Sequence, residues 1–412
     1  TFRIDGGEWF DPNDWQLLEF SRRLDFRSGV LQRTLRVSDA RGRETLVESW
    51  RLASMADPHL AALRYVVTPL NYSGSVSIRS GLDGRVVNGG VERYQALANH
   101  HLEPVGAAGE TDTSWVVVRT SESDTEIAVA ARLSAMLDGN AVSPEVQVEA
   151  GEAAAHSVFD IQVGAGQSLE VGKVVGIFTS NDDDQSDRLA AARAAVESIS
   201  FEDLVAASEA AWQTIWEEID IEIDGDRLSQ KLLRLHLYHC MVTASPHTAA
   251  LDVGIPARGL HGEAYRGHIF WDELFILPLY NLHYPETARG SLLYRYRRLD
   301  VARAYARAHG YDGAMYPWQS GSDGREETPL VHLNPISGEW GDDHSSLQRH
   351  VSLAIIYGVW DYFQTTQDIE FLRDYGAEMF IELARFWASI SAFNPEAGRY
   401  EIAGVMGPDE FQ

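Results

Sequence analysis

Up to about residue 180, hydrophobic positions come in short runs that alternate with polar ones or are rich in β-branched residues. Phe159, Ile161 and Val163 alternate with polar neighbours. Leu63 to Thr68, Val76 to Ser80, Trp115 to Arg119 and Ile127 to Arg132 are further runs of this kind. A period of two is that of a strand with one face buried. Asn71-Tyr72-Ser73-Gly74 predicts a hairpin between the first two of these runs. Ser121-Glu122-Ser123-Asp124 predicts a second hairpin between the other two. Many short strands at this spacing predict an antiparallel β-sandwich rather than a parallel sheet.

The pattern breaks at Asn181-Asp182-Asp183-Asp184. This stretch reads as a calcium loop or as a solvated loop opening a helix. We prefer the second, because the Gly and Glu positions of a calcium loop are missing. From Asp187 to about Glu218 the chain is Ala-rich and predicts a connecting helical segment. After about Asp226 the hydrophobic spacing is helical. Pro285 and Glu286 open a helix with Leu292, Leu299, Ala302 and Ala306 on one face, and Gly310 ends it. Leu347, Val351, Ile355, Gly358 and Tyr362 make a second stripe. Leu372, Tyr375, Met379, Leu383, Phe386 and Ile390 make a third, capped by Asp368. The organisation expected is a β-sandwich over 1–180, a helical linker over 181–225 and a helical domain over 226–412. Two long polar loops, Gly254 to His268 and Gly310 to Asp343, lie between the helices, and such loops are usually functional.

The 412 residues suffice for two cores. Acidic residues outnumber basic ones, 61 to 34, for a net charge of −27. That disfavours nucleic acid and anionic membrane surfaces as partners. Lysine occurs only at Lys173 and Lys231. The single cysteine, Cys240, excludes an internal disulfide and a thiolate zinc site. No apolar run is long enough to span a membrane.

Most familiar chemistries lack their motif. No phosphate-binding Gly-Lys-Ser/Thr loop and no Gly-x-Ser-x-Gly elbow is present. His236 and His239 share a helical face but have no third ligand nearby, so no metal site is expected. Carboxylates paired with tryptophans remain: Trp271-Asp272-Glu273, Trp318 to Asp323, Trp340-Gly341-Asp342-Asp343, and Gly407-Pro408-Asp409-Glu410. Sugars need this mixture, because their C–H faces stack on aromatic rings and their hydroxyls need carboxylate and amide partners. Cleaving a glycosidic bond needs a carboxylic acid at the leaving oxygen. Each acid alone could equally cap a helix and each tryptophan fill a core.

The segment Arg258-Gly259-Leu260-His261-Gly262-Glu263-Ala264-Tyr265-Arg266-Gly267-His268-Ile269-Phe270-Trp271-Asp272 closely resembles the signature of glycoside hydrolase family 65. Gly313-Ala314-Met315-Tyr316-Pro317-Trp318-Gln319 and His350 resemble it as well. Gly404-Val405-Met406-Gly407-Pro408-Asp409-Glu410-Phe411 resembles that family's catalytic-acid motif. The resemblance runs over the whole chain. It implies an N-terminal β-sandwich, a helical linker and an (α/α)6-barrel catalytic domain. Such a barrel needs roughly 300 residues or more, so an incomplete, open half-barrel is expected here.

By that resemblance Glu410 is the general acid, and Trp271 and Asp272 hold the non-reducing glucose, with Arg266 and Trp318 as further substrate-binding residues. Glu410 has to stay protonated near neutral pH, well above a reference value of about 4.3. Gln412 stands where the family commonly has His, a departure from the family's pattern beside Glu410. The implied reaction is inverting phosphorolysis of an α-linked glucose disaccharide of the maltose, trehalose or kojibiose type. Inorganic phosphate is the co-substrate, with no cofactor and no metal. An α-glucoside hydrolase on the same fold and a non-catalytic sugar-binding protein are the alternatives. We expect a homodimer in the cytoplasm.

Overall fold

The computed structural model describes residues 1–94, 97–182, 187–259, 262–334 and 336–408. Contacts divide the chain into two compact units. One holds Thr1–Val87 and His100–Glu218; the other holds Asn88–Asn99 and Ile219–Gln412.

The first unit is built from β1 (Phe2–Ile4), β2 (Gln16–Asp25), β3 (Val30–Ser38), β4 (Glu44–Ala53), β5 (Leu60–Pro69) and β6 (Gly74–Asp83). They are followed by β7 (Leu102–Glu110), β8 (Thr113–Thr120), β9 (Glu126–Leu137), β10 (Asn140–Val142), β11 (Gln147–Ala150), β12 (Ala154–Val163) and β13 (Leu169–Thr179). They form an antiparallel sheet of order β1-β6-β12-β11 and a larger one of order β2-β3-β4-β5-β13-β9-β8-β7, with β10 on β9. One core holds Ile4, Val76, Ile78 and Phe159 from the first sheet and Val37, Val47, Val67, Leu169 and Val171 from the second. The sheets are therefore packed face to face, as the alternation predicts.

The expected hairpin at Ser121 to Asp124 is present, since β8 pairs with β9. The other needs correction. β5 pairs with β4 and β13, whereas β6 pairs with β1 and β12. Asn71 to Gly74 therefore carries the chain from one sheet to the other. The reverse face of the large sheet is covered by α1 (Arg188–Val196) and α2 (Phe201–Ile219). Leu52, Ala62 and Val174 pack there against Val196, Phe201 and Leu204. Asp187 caps α1 by accepting a hydrogen bond from the Ala190 amide. Of the acidic stretch, Asp182 accepts from the Thr179 amide, and Asp183 and Asp184 lie outside the described residues.

The second unit contains α3 (Arg227–Thr243), α4 (Glu273–His283), α5 (Pro285–Arg297), α6 (Leu299–Ala308), α7 (Val351–Thr366), α8 (Ile369–Phe371) and α9 (Ala377–Ile390). Asp368 caps α8 through the Phe371 amide, as expected. Leu292, Leu299, Ala302 and Ala306 are buried together as predicted, but on two helices that break at Arg298. α4 packs on α5 and α7. Gly358 permits this approach, because a Cβ there would lie 3.0 Å from Leu277. The stretch Gly313 to Tyr316 threads between helices, with its amides bonded to Glu382, Ala302 and Ser352. Gly313 is required: its φ is +73°, and a Cβ would lie 2.1 Å from the Glu382 carbonyl oxygen. The described helices do not display the twelve-helix barrel that the resemblance implies. No described helix is long and apolar enough to cross a membrane.

Candidate active site

Trp271 and Asp272 stand at the head of α4, where the chain leaves the long loop ending at His268. Trp318 comes from the stretch after Tyr316, and His350 directly precedes α7. The four aromatic rings of Phe270, Trp271, Trp318 and His350 meet. Trp271 and Trp318 have centroids 6.5 Å apart, and His350 lies 4.7 Å from the first and 5.1 Å from the second. Phe270 is edge-on to Trp318 at 5.3 Å, and Tyr265 is edge-on to Phe270 at 5.3 Å. Both ring nitrogens of His350 are buried, and the Met406 backbone is a hydrogen-bond partner of the ring. Burial also holds the His350 imidazole below its usual pKa.

Asp272 is half-buried and makes no cap hydrogen bond. The helix-cap role that competes with sugar binding is therefore not the one it plays. Its carboxyl is pushed above the usual carboxylate range, first by burial and then by the charge of Glu273. Its own backbone amide offsets part of this, and the carboxyl retains further capacity to accept hydrogen bonds.

Arg266 lies in a run of left-handed backbone, with φ of 61° at Tyr265, 57° at Arg266 and 72° at Gly267. Two consecutive non-glycine residues in this region are strained, and such strain concentrates at ligand sites. The run is braced within the same unit. Tyr94 accepts a hydrogen bond from the Tyr265 amide at 3.0 Å, and Glu263 accepts one from the Gly90 amide at 2.6 Å. Burial, then the Arg266 charge, push the His268 imidazole down to about 4, so it is neutral at physiological pH. The Gln319 amide donates to His268 Nδ1 at 2.7 Å. Nε2 then carries the ring proton as a donor.

Beneath the aromatic cluster is a buried ion pair. Arg295 Nε donates to Glu273 Oε2 at 2.9 Å, with the side chains 1% and 6% exposed. Glu273 Oε1 also accepts from Ser291 at 3.0 Å and from the Ile255 amide at 3.3 Å. Arg295 Nη2 donates to the Phe270 carbonyl at 2.6 Å. A second carboxylate, Glu326, accepts from the Trp318 and Gln319 amides at 3.0 and 3.2 Å. The tryptophan loops are thus fixed by the buried Glu273–Arg295 pair on one side and by the partly buried Glu326 on the other.

The structure therefore brings the rings of Trp271 and Trp318 together, with Asp272 next to the first and Tyr265 of the Arg266 loop against Phe270. It does not add Trp340, which lies 43% exposed on a hairpin of β14 (Val331–Leu333) and β15 (Trp340–Asp342). A further hairpin, β16 (Ala392–Asn394) and β17 (Arg399–Glu401), follows α9. Glu410 lies outside the described residues. The last stretch before it is anchored, since the Met406 amide donates to the Leu347 carbonyl, three residues before His350. Sequence reasoning missed His268, Gln319, Glu273, Arg295 and Glu326 as site residues. For the first two the adjacency to Trp318 and Trp271 was a usable signal. The ion pair joins positions 22 residues apart, and that separation carries none.

Aromatic rings beside a carboxylate, an imidazole and an arginine are the side-chain types that sugar hydroxyls and C–H faces need. The chain belongs to glycosyl hydrolase family 65: residues 1–215 match the family's N-terminal domain and residues 234–412 its central catalytic domain. An uncharacterized glycosyl hydrolase of Mycobacterium tuberculosis is 44% identical over 412 residues, covering 100% of this chain and 31% of that protein. A kojibiose phosphorylase of Halothermothrix orenii is 34% identical over 422 residues, covering 98% of this chain and 52% of that protein. The chain thus spans about half or less of the length of these relatives. A solved structure named "Putative kojibiose phosphorylase from human microbiome" shares the fold, with a TM-score of 0.81 at 23% identity, covering 99% of this chain and 51% of that one.

Proposed function

We propose that this chain carries the sugar-binding half of an inverting phosphorylase acting on an α-linked glucose disaccharide. The observation that carries the reading is the half-buried, uncapped Asp272 next to Trp271, whose ring meets those of Trp318 and His350. The ring faces of Trp271 and Trp318 stack on glucose, Asp272 accepts from its hydroxyls, and Arg266 and His268 donate to it. Glu410 protonates the leaving oxygen while phosphate attacks the anomeric carbon from the opposite face. The products are β-glucose 1-phosphate and the released sugar. The helices α3 to α9 are then the first part of an (α/α)6 barrel, after a sandwich over 1–180 and a linker over 181–225. The relatedness to a kojibiose phosphorylase supports phosphate as co-substrate. We place the enzyme in the cytoplasm as a homodimer that needs no cofactor.

The test is product analysis of the full-length protein with kojibiose, maltose and trehalose, each with and without phosphate. Phosphate-dependent β-glucose 1-phosphate is the expected product. Free glucose at an equal rate without phosphate would make the enzyme an α-glucoside hydrolase.

A further inference from the structure

Trp318 rides on a loop that folds back on itself. Ser320 bridges both Ile269 and Glu326 in antiparallel fashion, and the Glu327 amide donates to the Gln319 carbonyl at 2.8 Å. Inside this closure the Glu326 carboxylate accepts five hydrogen bonds. Its Oε1 takes the Gln319 and Thr328 amides at 3.2 and 3.1 Å and the Thr328 hydroxyl at 2.6 Å. Its Oε2 takes the Trp318 amide at 3.0 Å and the Tyr305 hydroxyl at 3.1 Å. Every partner is a donor. An ionised carboxylate accepts at both oxygens and donates at neither, so it fits all of them, and an amide of the same shape does not.

The Tyr305 hydroxyl extends the network to a second element. It stands on α6, donates to Glu326 and accepts from Arg349 Nη1 at 3.0 Å. Arg349 is 5% exposed and directly precedes His350 at the head of α7. The His350 ring lies 5.1 Å from Trp318 and 4.7 Å from Trp271, and both its nitrogens are buried. Trp318 comes from a loop and His350 from a helix start. Both are referred to one carboxylate, Trp318 through its own amide and His350 through Arg349 and Tyr305. Hydrogen bonds to an ionised acceptor are stronger than neutral ones and hold direction, so Glu326 fixes two rings at once.

We propose that Glu326 is the positioning residue of the aromatic cluster, setting the spacing of the Trp318 and His350 rings that a pyranose has to fit. The inference rests on the reading of this cluster as the glucose site. Glu326 acts there through other residues. Its loss weakens the binding of substrate and transition state alike, which raises KM and spares kcat.

The test uses the full-length protein and two variants. Glu326→Gln sets an NH2 group against donors and loses both branches, whereas Tyr305→Phe cuts only the branch to Arg349. KM for the disaccharide, in phosphorolysis or hydrolysis, should rise about tenfold in the first and about threefold in the second, with kcat within about twofold of the parent. A loss of folded enzyme would lower kcat and leave KM. Ring placement is read separately, by carbethoxylation with diethyl pyrocarbonate and mass spectrometry, with His283 on α4 as the reference. His350 should react at least about threefold faster in both variants and His283 at the parent's rate. This readout needs no turnover. Selective acceleration of His350 with KM unchanged would overturn the glucose-site reading and leave the control of Glu326 over the rings standing. Unchanged labelling of His350 in both variants, or equal acceleration of His283, would overturn the proposal whatever the kinetics. If Glu326→Gln misfolds, Tyr305→Phe decides alone.

Discussion

The two units bury different kinds of polar side chain. In the sandwich unit they are hydroxyls, among them Thr45, Ser77, Ser114 and Ser157. In the helical unit they include Glu273, Arg295, Gln319, Gln348, Arg349 and Glu382. A buried hydroxyl costs little when hydrogen-bonded, whereas a buried charge is tolerated only when paired and fully bonded. The sandwich interior is organised for packing. The helical interior is organised to hold loops in place, and the Glu273–Arg295 pair bonds the Phe270 carbonyl beside the aromatic cluster.

The contrast predicts where substitutions act. The largest effect belongs to Glu410→Gln, which keeps the shape and removes the acid. Turnover of an unactivated disaccharide by the full-length enzyme should fall about 10²–10⁴-fold. Near-normal turnover would remove Glu410 from the mechanism. Next comes Arg295→Met, which strands the Glu273 charge and should cost about 3–5 kcal/mol in urea unfolding. Adding Glu273→Gln should restore part of that loss. If the single and double variants were equally stable, the pair would not be the support described.

The smallest effect is a difference in the sign of pH dependence. A hydrogen bond from Arg85 holds the carboxyl of Asp83, in the sandwich, down to about 2. Its contribution is complete above its ordinary 3.8 and is lost as pH falls toward 2. Asp272 has the opposite shift: burial raises it, so its contribution is present below 3.8 and is lost as pH rises through the raised value. Asp83→Asn should therefore lower Tm at neutral pH and converge with the parent in acid, while Asp272→Asn should raise or preserve Tm at neutral pH. The Asp83 effect should be slight, since its side chain is 45% exposed and screened. Thermal melts from about pH 7 down to about pH 2 would show both, and shifts of the same sign would contradict the assignments.

The same contrast governs what the sequence revealed. The β8–β9 hairpin was legible because its turn and both strands are local. The Asn71 to Gly74 connection was misread because the partners of β5 lie at Glu44–Ala53 and Leu169–Thr179, which turn residues do not encode. The break at Arg298 was hidden for a related reason: Arg298 reaches Asp252 and the Ser322 carbonyl, both distant in sequence. Trp271, Asp272 and Trp318 stood out as aromatic and acidic residues at loop ends. Glu273, adjacent to Asp272, did not, because its meaning comes from Arg295, 22 residues away.

The most direct test of the proposed sugar site compares affinity with stability in Asp272→Ala. Glucose or disaccharide binding by calorimetry should weaken by about 1.5–3 kcal/mol for each charged hydrogen bond lost. Tm should stay level or rise, because a desolvated carboxylate is removed and no helix cap is broken. Unchanged affinity with a lowered Tm would show that Asp272 is structural and that the aromatic cluster is not the glucose site.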